Sequence, residues 1–206
     1  MKAFTECVGT AASLLRDNID TDVIVRIERV AQGRRGEFGP WAFEILRYRP
    51  DGSENPDFIL NQAPFRDAKV LLAGANFGCG SSREMAVWAL DDFGIRCVIA
   101  ESFGDIFHGN CLQIGVLPIV LPRELIEHLA AVASKGVRLK VDLRASSIEA
   151  EGIAPLAFDV APSIREAFLT GLDEIGVTLT RAAEIERYQR HDRELRPWIH
   201  QPPGKR

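Results

Sequence analysis

The sequence predicts an α/β or mixed α+β domain, and three observations carry that reading. Two short apolar runs, Lys69–Ala73 and Arg96–Ala100, have the composition of strands buried on both faces. Between them lie a glycine-rich loop, Gly74–Gly80, and a helix expected from Ser82 to about Phe93, stopped by Gly94. That order is a βαβ unit, with parallel strands and a right-handed crossover. Further on, Val137, Leu139, Val141 and Leu143 alternate with Arg138, Lys140 and Asp142, the pattern of a half-buried strand.

The remaining elements follow in chain order. Residues 1 to about 60 read as irregular, with strand-like pieces such as Val23-Ile24-Val25 after Asn18-Ile19-Asp20-Thr21-Asp22. Gln32–Pro40 holds three glycines and a proline and reads as a loop. Residues 50–57 are a turn cluster. Pro118–Leu121 makes a third strand, and a helix is expected from Pro122 as its first residue to Gly136, with Leu125, Ile126, Leu129 and Val132 on one face. Ser147–Glu151 and Ala157–Val160 read as strands, Pro162–Thr170 and Thr180–Arg190 as helices. His191–Arg206, with three prolines, reads as a poorly ordered tail. The expected organisation is one domain over 1–190 and a C-terminal tail over 191–206.

Composition narrows the function. With 206 residues, 25 Lys+Arg and 29 Asp+Glu, the net charge is −4, and no long basic run offers a nucleic-acid surface. Apolar runs such as Val116–Leu121 fall far short of the roughly 20 residues of a membrane helix. Met1–Asp20 has no signal-peptide core. The expectation is a cytoplasmic protein with neither nucleic acid nor membrane as a partner. The four cysteines, Cys7, Cys79, Cys97 and Cys111, form no C-x-x-C pair, so no metal or cluster is expected on this chain.

The chemistry concentrates in Gly74-Ala-Asn-Phe-Gly-Cys-Gly-Ser-Ser-Arg-Glu84. Ser81 and Glu84 have capping-box spacing, which predicts a helix start there. Unpaired N–H groups and the helix dipole favour an anion at such an end. Gly78 and Gly80 allow close backbone approach, and Arg83 offers a fork that matches a carboxylate. Neither a Walker loop nor a dinucleotide loop fits, for lack of G-K-[ST] and of the third glycine. A small carboxylate is the better ligand. The plainer reading makes Ser81 only a cap and Arg83 only an ion-pair partner.

This string resembles the substrate loop of the aconitase superfamily's swivelling domain, and within it the small subunit of 3-isopropylmalate dehydratase. Other similar strings follow in order, among them Asn18–Asp22, Asp57–Asn61, Val87–Leu90, Ile99–Phe107, Leu117–Leu121 and Gly171–Leu179, so the resemblance spans about residues 5 to 190. It implies a swivelling β/β/α three-layer domain with a largely parallel core sheet. It implies a heteromeric hydro-lyase of leucine biosynthesis that isomerises 2- and 3-isopropylmalate by dehydration and rehydration. The 4Fe-4S cluster would sit on a large-subunit partner and the substrate would be a dicarboxylate. By position, Ser81 resembles the base and Asp22 an ordering active-site carboxylate. Ser82 and Arg83 resemble residues holding a substrate carboxylate, with Asn76 as a further substrate-binding residue. Three glycines and few apolar anchors predict that Arg26–Gly39 (26–39) is mobile without its partner, and beside the resemblance it is the expected place where the substrate side chain is sensed.

The chain departs from the family pattern at Arg26, Ile27, Met85 and Ile114. A paralogous hydratase acting on citramalate, homocitrate or dimethylmalate is one alternative. A non-catalytic dicarboxylate-binding module and a thiol enzyme using Cys79 at a helix start are others.

Overall fold

Strands that are apolar on both sides need a cover on both sides. The computed structural model of the chain, which describes residues 1–200, supplies one from helices and one from a second sheet together with further helices. The chain divides into two compact units, Met1–Gly171 and Leu172 onward.

The first unit opens with β1 (Glu6–Gly9), β2 (Ala11–Leu14), α1 (Thr21–Ile24), α2 (Ile27–Val30) and α3 (Glu44–Arg47). A parallel series follows: β3 (Val70–Ala73), α4 (Glu84–Phe93), β4 (Cys97–Ala100), α5 (Asp105–Ile114), β5 (Leu117–Val120) and α6 (Arg123–Ala133). It closes with β6 (Leu139–Asp142), β7 (Ser147–Ala150), β8 (Leu156–Ala157) and α7 (Pro162–Thr170). The second unit holds α8 (Glu174–Leu179), α9 (Ala182–Leu195) and a 3-10 turn at Pro197–Ile199.

The strands form two four-stranded sheets, a parallel one in the order β2-β3-β4-β5 and an antiparallel one in the order β1-β6-β7-β8. The parallel register runs Ala11↔Val70↔Cys97↔Leu117. Side chains alternate between two cores, as strand geometry requires. Leu71, Ala73, Val98 and Ala100 join α4, α5 and the early helices in one. Val70, Leu72, Cys97, Ile99, Leu117 and Ile119 join α6, α7 and the inner face of the antiparallel sheet in the other. The arrangement is β/β/α in three layers. Fully burying each Leu or Ile of the central strands contributes about 1.5–3 kcal/mol. In the outer sheet, by contrast, β6 buries Leu139 and Val141 and leaves Lys140 and Asp142 half-exposed, which is why its sequence alternates.

Several local expectations are corrected. Val23 and Ile24 lie in α1, not a strand, because Asp20 caps the turn by accepting from the Val23 N–H (2.8 Å). β1 and β2 were not anticipated, being four residues each. Pro122 flanks α6 as its N-cap, and the helix ends at Ala133, short of Gly136. β8 is two residues long, at Leu156–Ala157. α8 went unforeseen although Asp173 caps it through the Gly176 N–H (2.7 Å). α9 runs to Leu195, into the stretch read as a tail, of which 201–206 lie outside the described residues.

The 26–39 segment carries α2 and an anchor that sequence reading overlooked. Phe38 is fully buried, with its ring edge-on to Trp41 (5.5 Å) and near Trp88 (5.7 Å). An Asp92 carboxylate oxygen accepts from the N–H of both Gly36 and Phe38, each at 2.9 Å. Gly39 presses on the end of α4, where a Cβ would lie 2.7 Å from the Asp92 carbonyl oxygen. Arg47, buried in the same region, donates to Asn61 Oδ1 (3.2 Å) and the Pro40 carbonyl (3.3 Å), and its guanidinium lies 4.9 Å from the Phe93 ring centroid.

Truncating this anchor should therefore be expensive. Phe38→Ala is expected to cost about 3–5 kcal/mol of folding stability, as large-to-small core changes do, measured by urea unfolding. A loss below about 1 kcal/mol, the range of ordinary surface changes, would contradict the anchoring role.

Candidate active site

All four parallel strands end at one edge of the sheet, and in open α/β sheets ligands bind outside the carboxyl ends of the strands. The loops leaving β2, β3 and β4 meet there. The loop after β3, residues 74–83, lies between the other two. On one side the Asn18 N–H donates to the Ala75 carbonyl (2.9 Å), the Gly78 N–H to the Ile19 carbonyl (2.7 Å) and the Thr21 N–H to the Cys79 carbonyl (2.9 Å). On the other side the Asn76 N–H donates to Ser102 Oγ (2.8 Å), the Phe77 N–H to the Ser102 carbonyl (3.0 Å) and the Gly104 N–H to the Phe77 carbonyl (2.9 Å).

The glycines of this loop have distinct physical reasons. Gly78 has φ +74°, and a Cβ there would fall 2.1 Å from Phe107 Cγ, so both conformation and space demand glycine. Gly80 has φ +91°, but its nearest neighbour, Asp20 Cβ, is 3.5 Å away; conformation alone selects it.

The expected capping box does not form. α4 begins at Glu84, its N-cap is Arg83, and no side chain caps it. The backbone of Ser81 is engaged elsewhere. Its N–H donates to Thr21 Oγ1 (3.2 Å), and the same hydroxyl donates to the Ser81 carbonyl (3.2 Å). The Ser81 side chain is therefore free for another task. Ser81 and Ser82 are exposed, and neither hydroxyl has a hydrogen-bond partner among the described residues.

Asp22 and Arg83 meet directly. Both terminal nitrogens of the guanidinium bind the two carboxylate oxygens, one at 2.9 Å. The Arg83 side chain is 13% exposed and Asp22 53%, so the carboxylate faces solvent and the cation is sunk beneath it. The hydrogen bond from Arg83 holds the Asp22 carboxyl below its ordinary range, and Asp22, Asp20 and Glu28 together keep Arg83 charged. Arg83 Nε is buried without an acceptor. The structure thus brings Asp22, Ser81 and Arg83 together, with Thr21 between the first two. Asn76 is held at the other end of the loop, where its amide donates to Asn18 Oδ1 (2.8 Å).

Sequence reading missed Thr21 and Ser102. Each sits inside a family-like string, Asn18–Asp22 and Ile99–Phe107 respectively, and that was the available signal. The cysteines do not converge. Cys7, Cys97 and Cys111 are buried, and desolvation pushes their thiols up. Cys79 is half-buried and lies five residues before α4, which removes the helix-start argument for a reactive thiolate. Among the described residues no three His, Cys, Asp or Glu side chains form a group that could hold a metal ion. No helix there is long and apolar enough to cross a membrane.

Comparison with known proteins places the chain in a family. The aconitase C-terminal domain family matches residues 1–124. The 3-isopropylmalate dehydratase small subunit of Cereibacter sphaeroides is 47% identical over 201 residues, 97% of this chain and all of that protein. The protein of the same name from Paracoccus denitrificans is 45% identical over the same span. Among solved structures, a crystal structure of 3-isopropylmalate dehydratase from Methanocaldococcus jannaschii superposes with a TM-score of 0.66. It is 24% identical and covers 89% of this chain and 99% of its own, a likeness of fold.

The Asp22–Arg83 pair has a pH signature. A depressed carboxyl pKa means that the pair's contribution is complete above the unfolded-chain value and is lost as pH falls through the folded one. Carbon-13 NMR titration of Asp22 should give a midpoint below the ordinary value of about 3.9, returning toward it in Arg83→Gln. Identical midpoints in the two proteins would contradict the pairing.

Proposed function

The chain belongs to the 3-isopropylmalate dehydratase small-subunit family, built on the aconitase C-terminal domain, and on that premise we propose a cytoplasmic, heteromeric hydro-lyase that interconverts 2-isopropylmalate and 3-isopropylmalate in leucine biosynthesis. The observation that carries the reading is the exposed, unpartnered Ser81 hydroxyl beside the Asp22–Arg83 pair, at the carboxyl edge of the parallel sheet.

Each residue then has a task. Ser81 Oγ removes the proton from the carbon next to a substrate carboxylate and returns it in the reverse direction. A serine hydroxyl is a weak base, so its alkoxide must be stabilised by nearby positive charge and fixed donors. Arg83 is the cation in place, held in position by Asp22. Ser82 lies one residue on, exposed and able to donate to a carboxylate oxygen. Asn76 keeps the entry of the loop against Asn18.

The same charges support the need for a partner. Arg83 is already matched by Asp22, with Asp20 and Glu28 also acting on it. A dicarboxylate would add two negative charges there. Further cations must come from a large subunit closing over the site. The dispersed, mostly buried thiols of this chain do not fit an iron–sulfur cluster, and we assign the 4Fe-4S cluster to that large subunit. There it would supply Lewis-acid activation of the leaving hydroxyl.

Co-expression with a cysteine-bearing large subunit, followed by cluster reconstitution, should give interconversion of the two isopropylmalates. Either subunit alone should give none. Ser81→Ala in the complex should lower kcat by about 10²–10⁴, the range for losing a positioned acid–base group, with little change in KM. Wild-type turnover in Ser81→Ala would remove Ser81 from the chemistry. A loaded complex that hydrates no substituted maleate would overturn the function.

A further inference from the structure

We infer that Arg123 is a positioning residue for the substrate loop, a brace that ties the ends of β2, β4 and β5 around the point where the loop leaves β3. The inference deepens the function proposed above and rests on it for the kinetic part of its test.

The observations are geometric. Arg123 opens α6, immediately after Pro122. Its Nε donates to Glu101 Oε2 at 2.8 Å, and a terminal nitrogen binds Asp17 Oδ1. Glu101 directly follows β4, and Asp17 lies three residues past β2. The same Asp17 oxygen accepts from the Ala75 N–H at 2.9 Å, in the first turn of the substrate loop. Gly74 completes the fit: a Cβ there would lie 2.3 Å from Asp17 Oδ1 and 2.8 Å from the Arg16 carbonyl oxygen. Asn18 continues the contact, with its N–H on the Ala75 carbonyl and its Oδ1 on the Asn76 amide. One guanidinium thus connects three strand ends, and through Asp17 reaches the fourth at the base of the loop.

Magnitudes separate positioning from stability. The three side chains are 41%, 46% and 38% exposed for Arg123, Asp17 and Glu101. Ion pairs this exposed contribute little to folding. A displacement of about 1 Å in a catalytic group, by contrast, can cost about 100-fold in rate. The contacts from Asn76 onward hold the middle of the loop; the brace sets its entry and hence the placement of Ser81. Loss of Arg123 should therefore be nearly silent in stability and visible in turnover.

The test uses the complex reconstituted with its large subunit, carrying Arg123→Ala, Arg123→Lys or Asp17→Asn. Arg123→Ala is expected to lower kcat about 10-fold or more, since positional errors act on rate, with KM within twofold and the thermal midpoint barely moved. Arg123→Lys should restore part of kcat, because one ammonium can hold one of the two carboxylates. Asp17→Asn, which removes the charge and keeps the shape, should reproduce the loss, and Asp17→Asn with Arg123→Ala should be no worse than either alone. Hydrogen exchange at the amides of residues 75 and 76 in the purified full chain should speed up in each variant except Arg123→Lys. Turnover and exchange unchanged in Arg123→Ala and Asp17→Asn would overturn the brace. If the wild-type complex turns over no substituted malate, the functional reading fails, and the exchange measurement still decides the brace.

Discussion

The lodging of residues 74–83 between the segments that follow β2 and β4 is the constraint on which the site depends. Backbone groups of this loop are bonded on both flanks, and Gly78 rests on the Phe107 ring where no side chain would fit. A loop with three glycines would otherwise be costly to order, because glycine loses the most backbone freedom on folding. Here the cost is offset by pairing with neighbours that are themselves extensions of buried strands. The result is a loop fixed tightly enough to present Ser81 and Ser82 outward and to bring Arg83 under Asp22.

The rest of the first unit serves that edge. The central sheet is buried on both faces, so its strand ends are fixed by two independent cores. The antiparallel sheet together with α6 and α7 seals one face and α4, α5 and the early helices the other, while the carboxyl edge stays open. The three thiols in the interior act as small hydrophobes, with desolvation keeping them protonated. What the unit does not provide is a surplus of positive charge at the open edge. The proposed function accordingly assigns this chain a base and one paired cation, and the remaining charge to the large subunit.

The parallel core was legible because its strands are continuous apolar runs and its crossover helix has a glycine stop at Gly94, which adopts φ +109°. The stretch from Gly74 to Gly80 was legible as a loop between strand and helix for its glycines, two of which adopt positive φ. The capping box expected at its end does not form: Ser81 does not cap the helix, and Thr21, 60 residues away in sequence, engages its backbone instead. Such long-range pairing leaves no local pattern. For the same reason Asp22 could be singled out while its bond to Arg83 could not. Phe38 was hidden among the glycines and charges of its segment, where a lone aromatic gives no periodicity to read. Arg123 carried no signal, as an arginine at a helix start is unremarkable until Asp17 and Glu101 are seen to converge on it.

That two segments distant in sequence form one catalytic unit is most directly tested by a double-mutant cycle on Asp22 and Arg83, read as kcat/KM in the reconstituted complex. If the carboxylate acts by holding the guanidinium, Asp22→Ala and Arg83→Ala together should cost far less than the sum of the two, with a coupling of about 1 kcal/mol or more. Losses that add to within about 0.5 kcal/mol, as independent sites do, would show that the two residues act separately and that the site is not the single unit described.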